Sequence, residues 1–257
     1  MTNRIETIAD RIVADWIARV PHANLSGVNT PRDLADAYTI QQAVQTRLAR
    51  HRGPLVGRKI ALSSRAMQQM VGIDHPIAGA FFANDIHRSP AEIPASGFRH
   101  LGVEFELAIE IARDCRPGEV HGVDSVRELV SAVRPAFELI EDRNADYGAL
   151  DVLSLVADNA WCGGVVLGPV LDLKPDGIAN LRGAISETGQ PDEATETGAA
   201  DPLGSLAWVL THADSLGTPA RKGEIVITGS ATRTRFPCQG TRLTYSVSGV
   251  EVALVVV

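Results

Sequence analysis

The stretch Leu101–Ile111 alternates without a break, and no other part of the chain constrains the fold as tightly. Val103, Phe105, Leu107, Ile109 and Ile111 fall on one parity; Glu104, Glu106, Ala108 and Glu110 fall on the other. A period of two predicts a strand, and alternate side chains of a strand share a face. Glu104 and Glu106 therefore point the same way, with α-carbons about 7 Å apart at a rise of ~3.4 Å per residue. Carboxylates that close repel unless a cation, a proton or water intervenes. The stretch reads either as a half-buried strand with a charged, solvated face, or as a pair of ligands for a hard divalent cation such as Mg²⁺ or Mn²⁺.

Other segments bear on that choice. Ala136–Arg143 opens on an apolar run that predicts a buried strand, and Glu138 sits inside it. A buried carboxylate is costly without a partner. Glu138 is thus either a third ligand or the partner of an arginine such as Arg134 or Arg143. Leu55–Leu62 predicts a strand that puts Lys59 on the face of Gly57 and Ala61. Small neighbours leave room for a ligand beside the ammonium; the alternative is a solvated lysine next to Arg58. Asp158-Asn159 followed by Gly163-Gly164 predicts a turn brought close to another group, since glycine tolerates near backbone approach. Gly223–Ser230 predicts a strand ending in a small polar turn, whose amides and Thr228 and Ser230 hydroxyls could hold a carboxylate or form a simple turn.

Around these segments the pattern predicts an amphipathic helix over 4–20, a helix from Thr30-Pro31 to about Arg50, and a short helix over 65–71. Residues 73–100 read as irregular. Helices are expected over 125–133, stopped by Pro135, and over 145–157. A polar hairpin or flap is expected over 182–200, a helix beginning at Asp201-Pro202, and two C-terminal strands. His22 and His51 are expected at the surface. Helices lead and strands gather later, which is an α+β order. No linker composition divides residues 1–257, so one domain is expected, with 1–53 as its helical N-terminal portion.

Composition narrows the function. The net charge of −7 and the absence of a basic run argue against nucleic acid as a partner. Cys115, Cys162 and Cys238 show no CxxC spacing and are odd in number, which suits a reducing cytosol rather than a zinc cage or a disulfide framework. No apolar run approaches the ~20 residues of a membrane helix, and the N-terminus has no apolar signal core.

Gly57-Arg-Lys-Ile60, Gly102-Val-Glu-Phe-Glu106, Pro135-Ala-Phe-Glu138 with Asp142-Arg143, Ala157-Asp-Asn159 and Gly223–Ser230 occur in one order. Together they resemble the 2-keto-4-pentenoate hydratase and 4-oxalocrotonate decarboxylase branch of the fumarylacetoacetate hydrolase superfamily. The resemblance covers about residue 30 to 257. It implies a mixed β-roll with helices around it, Mg²⁺ or Mn²⁺ on Glu104, Glu106 and Glu138, Lys59 beside the metal, and a cytoplasmic homo-oligomer. The implied reaction is hydration of a 2-hydroxy-2,4-dienoate to a 4-hydroxy-2-oxo acid in aromatic meta-cleavage catabolism. Lys59 would then transfer a proton or stabilise an enolate, Asp158 would orient the centre, and Thr228 and Ser230 would hold the far end of a 2-oxo acid or dienol. Decarboxylation of a 4-oxalocrotonate-type 2-oxo-3-enedioate is the alternative, with acylpyruvate hydrolysis and a non-catalytic partner subunit behind it. Two blocks depart from the branch: Pro76-Ile-Ala-Gly79 stands where many members have Pro-Asp-Tyr-Gly, and Ala200-Asp-Pro202 where many have Gly-His-Pro.

Overall fold

The computed structural model describes residues 4–173 and 177–257. Two helices lead, α1 (Arg4–Ile17) and α2 (Leu34–Arg52). Then come β1 (Leu55–Ala61), α3 (Arg65–Met70), β2 (Ile77–Phe82), β3 (Ile86–Arg88), β4 (Ala91–Ile93), β5 (Leu101–Ile111) and β6 (Val130–Glu141). The chain continues with α4 (Val152–Ala157), β7 (Cys162–Leu167), β8 (Arg182–Glu187), β9 (Glu193–Glu196), α5 (Pro202–Ser215), β10 (Ile225–Ile227), β11 (Arg242–Val247) and β12 (Val250–Val256).

One sheet runs β2-β1-β10-β5-β6-β7-β3 and the other β4-β12-β11-β8-β9. Both are mixed: β1 pairs β10, β3 pairs β7 and β12 pairs β4 in parallel, and the remaining pairs are antiparallel. The inward parity of β5 fills the space between the sheets. Phe105 meets Phe137 of β6 and Tyr245 of β11 edge to face, at ring distances of 5.4 and 5.7 Å, a favoured aromatic geometry. Leu203, Leu206, Val209 and Leu210 of α5 join that core. On the opposite side of the first sheet, Ile8 and Ile12 of α1 pack with Ile40, Val44 and Leu48 of α2. The mixed sheets with leading helices match the α+β order that the sequence predicts and the β-roll that the resemblance implies.

Several local expectations need correction. Helix α2 starts after Asp33, not Thr30, because the Asp33 carboxylate accepts the Asp36 amide and forms the cap. Residues 125–133 form only a 3₁₀ turn over Ser125–Leu129 before β6 begins. Pro135 lies within β6 instead of stopping a helix. Its carbonyl accepts from Gly168 on the β7 side, so its nitrogen faces the same side, just past the end of β7, and no bond to β5 is lost. Residues 73–100 contain β2, β3 and β4. The wholly buried β2 was hidden by Ala78-Gly79-Ala80, residue types depleted in strands. Residues 145–157 divide into a 3₁₀ turn and the short α4, capped by Asp151.

Candidate metal centre and its cavity

Strands β5 and β6 pair with Glu104 directly opposite Glu138. Glu106 follows two residues along the same face, so carboxylate oxygens of all three lie within 4.8 Å of one another. Glu106 and Glu138 are fully buried and Glu104 is half-buried. The alternative of a solvated charged face is thereby excluded. Each acid has one fixed oxygen. Thr234 Oγ1 donates to Glu104 Oε1 at 2.5 Å, the Gly229 amide donates to Glu106 Oε2 at 2.6 Å, and Lys59 Nζ donates to Glu138 Oε1 at 2.5 Å. Glu106 Oε1 and Glu138 Oε2 are buried without a hydrogen-bond partner among the described residues.

The charges do not balance. One ammonium stands against three carboxylates. Burial raises Glu138 to about 7; Lys59 pulls it down and Glu104 pushes it up. Burial also raises Glu106 well above the usual carboxylate range, reinforced by Glu138 and Glu104. Burial disfavours the charged form of Lys59, but Glu138, Cys162 and Glu104 outweigh it and hold the ammonium above its ordinary value. Two orphaned oxygens and an excess of negative charge are what a hard divalent cation satisfies. The three glutamates therefore fit such an ion.

Lys59 reaches this point from β1 because Gly79 lies opposite on β2. A Cβ at position 79 would stand 2.6 Å from the Asn159 carbonyl oxygen and 3.2 Å from Lys59 Cγ. The ammonium also donates to the Ala160 carbonyl at 2.9 Å. That carbonyl belongs to three successive left-handed residues, Asn159, Ala160 and Trp161, with φ of 57°, 48° and 58°. Non-glycine residues hold such a conformation only when their surroundings dictate it. Asn159 exchanges two hydrogen bonds with the Ala80 backbone. Trp161 Nε1 donates to Asp158, whose carboxylate also takes bonds from Arg143, Trp16 and His22.

The cavity facing the centre has a volume of about 600 Å³. Lys59 and Glu104 line it, together with apolar side chains such as Leu62, Met67, Leu155 and Trp161. Of the residues singled out from the sequence, Glu104, Glu106, Glu138 and Lys59 come together. Arg134 and Arg143 do not reach Glu138; they bond Gly168 and Asp158. Ser230 lines the cavity, though its hydroxyl is tied to the Phe105 backbone. Thr228 does not: it is buried and donates to the Leu107 carbonyl, so it is part of the sheet rather than a free substrate contact. Asp158 does not line the cavity either; it acts from behind Trp161. His22, expected at the surface, has a side chain only 6% exposed and belongs to the Asp158 network. Asp201 is an N-cap, accepting from Gly204. Sequence reasoning missed Thr234, the Gly229 amide as a donor to Glu106, and the Ala160 carbonyl. The Gly223–Ser230 block signalled only the second.

No family model matches the chain. The chain is 36% identical over 217 residues to a 2-keto-4-pentenoate hydratase of Paraburkholderia xenovorans, covering 82% of this chain and 78% of that one. It is 31% identical over 211 residues to a 2-oxo-hept-4-ene-1,7-dioate hydratase of Escherichia coli, covering 78% of each. Among solved structures it superposes on 4-oxalocrotonate decarboxylase from Pseudomonas putida G7, complexed with magnesium and adipate. That match has a TM-score of 0.89 at 23% identity and covers 100% of this chain and 98% of that one. The structural likeness extends the shared fold through the N-terminal helices.

Proposed function

The chain belongs to the 2-keto-4-pentenoate hydratase branch of the fumarylacetoacetate hydrolase superfamily, and from that membership we propose that it is a hydro-lyase. It adds water to a 2-hydroxy-2,4-dienoate and yields a 4-hydroxy-2-oxo acid. The observation that carries a metal-dependent form of this chemistry is the pair of buried, unpartnered oxygens on Glu106 and Glu138 beside Lys59. Glu104, Glu106 and Glu138 would hold Mg²⁺ or Mn²⁺. When bound, such an ion supplies Lewis-acid polarisation of a 2-oxo acid carbonyl.

The protein's own groups do the rest. Lys59 Nζ carries three hydrogens. Glu138 and Ala160 take two of them, which fixes the ammonium and leaves the third for the cavity it lines. That N–H can stabilise a developing enolate oxygen or deliver a proton to it. Leu62, Leu155 and Trp161 pack along the hydrocarbon chain of a dienoate and restrict where water enters. Asp158 holds Trp161, and so the Ala160 carbonyl, in place. Gly229 and Thr234 hold Glu106 and Glu104 in their rotamers. The three free cysteines support a cytosolic location, and among the described residues no helix is long and apolar enough to cross a membrane. Self-assembly into a homo-oligomer completes the reading.

The test is turnover of 2-hydroxypenta-2,4-dienoate with and without a chelator, beside a 2-oxo-3-enedioate. Chelator-sensitive formation of 4-hydroxy-2-oxopentanoate is expected. Release of CO₂ from the diacid with no hydration of the dienoate would replace this reading with decarboxylation.

A further inference from the structure

Two cationic side chains line the cavity, Lys59 and Arg233. Lys59 is engaged by Glu138 and Ala160. Arg233 is exposed and makes no ion pair or hydrogen bond to any described residue. Three of its neighbours in the 229–235 segment are committed: Gly229 to Glu106, Ser230 to Phe105, Thr234 to Glu104. Two of the acids that share an outer hollow with Arg233 are committed elsewhere. Glu187 and Glu193 on the β8–β9 hairpin both pair with Arg235, and Asp192, which shares an outer hollow with Arg233, forms no ion pair with it.

The cavity that these two cations line is larger than a five-carbon acid needs. Its volume of about 600 Å³ falls in the range of about 300–1,000 Å³ that houses drug-sized ligands. Its walls between the polar groups are apolar, with Leu62, Met67, Leu155 and Trp161. An unpaired guanidinium on the wall of a largely apolar cavity is a receptor for a planar anion, because its fork matches a carboxylate in two parallel hydrogen bonds. A 2-oxo acid with a single carboxylate places that group near the glutamates and Lys59 and leaves Arg233 unused.

We infer that Arg233 receives a second carboxylate at the far end of the substrate, so that the centre is built for a 2-oxo or dienol diacid. This rests on the hydratase reading above and narrows its substrate class. The site is open to water, which limits the gain.

Two saturated probes separate the ideas, because neither carries a double bond to hydrate: 2-oxohexanoate and 2-oxohexanedioate. They differ only in the distal carboxylate. Calorimetric titration in the presence of Mg²⁺ should show the diacid bound about tenfold more tightly by the unaltered protein. Arg233→Gln should bring the two affinities together while leaving 2-oxohexanoate within about twofold of its original value. Arg233→Lys, which keeps the charge but not the fork, should fall between. Equal affinity of the two acids for the unaltered protein, or a diacid preference that survives Arg233→Gln, overturns the assignment of Arg233 and leaves the hydratase reading standing. Failure of both acids to bind overturns both.

Discussion

Lys59 Nζ and Glu138 Oε1 meet at 2.5 Å in the interior, with both side chains almost wholly shielded from solvent. Breaking a buried pair from one side leaves an uncompensated charge, at a cost of about 3–5 kcal/mol. Here removal of the lysine also leaves three carboxylates unopposed. Lys59→Met is therefore expected to lower the urea midpoint of the ion-free protein clearly, and to reduce turnover by about 10²–10⁴-fold. An unchanged midpoint in chelator would remove Lys59 from its place as the counter-charge.

Glu106 makes the opposite prediction for stability. Glu106→Gln relieves a repelling cluster without touching the Lys59–Glu138 pair, so the ion-free protein should become no less stable and its melting temperature should rise or hold, whereas Glu138→Gln takes the charged partner from Lys59 and should lower it. Mg²⁺ at a hundred times its dissociation constant should stabilise the unaltered protein by about 2.7 kcal/mol. Both variants should lose most of that increment. Thermal unfolding with Mg²⁺ and with chelator reads both effects; an undiminished Mg²⁺ increment in Glu138→Gln would place the ion elsewhere.

Gly79 is the space in which the lysine lies. In Gly79→Ala the new methyl would stand 2.6 Å from the Asn159 carbonyl oxygen, and backbone on one side leaves little room to yield. Overpacking of this kind costs about 1–3 kcal/mol. The left-handed turn that carries the Ala160 carbonyl should shift, and turnover should fall further than stability accounts for. Kinetics alongside denaturation of Gly79→Ala checks this; full activity would show that the Lys59 approach tolerates the change.

His212 gives a pH signature away from the centre. Burial, with the charges of His75 and Arg58, lowers it to about 4, and it lies between the rings of Tyr38 and Trp208. Its folded value is below that of the unfolded chain, about 6.5. Between those values the unfolded chain binds the extra proton, so stability contributed by neutral His212 is full above 6.5 and declines as pH falls toward 4. His212→Phe should remove this part of the decline. Urea midpoints at pH 7 and pH 5 should show the unaltered protein losing about 1–2 kcal/mol more than the variant, within the limit of ~1.4 kcal/mol per pH unit. Equal losses would mean that the ring is already protonated or readily solvated.

What could be read from the sequence was whatever announced itself over short range. Glu104 and Glu106 stand out because β5 alternates, and Glu138 because an acid in an apolar run needs a reason. Lys59 showed through its small strand neighbours. The arrangement behind them was not legible. His22 and Asp158 are 136 residues apart and Trp16 and Asp158 are 142 apart, so no local pattern joins them. Asn159–Trp161 contains no glycine to mark its left-handed backbone. Thr234 follows the polar turn at Ser230 in a stretch with no period, and its bond to Glu104 depends on how that stretch runs back along β5. Pro135 misled for the same reason in reverse: its local preference was overruled by strand pairing along the whole of β6.

The direct opposition of Glu104 and Glu138 on neighbouring strands has one more consequence. Sliding β6 by a single residue would carry Glu138 to the reverse face, among Phe105 and Phe137, where no countercharge waits. Misalignment is thus penalised twice, once by lost packing and once by a stranded anion. Assembly of the sheet and creation of the centre become one event, and the chain cannot fold to its lowest state with the three acids apart.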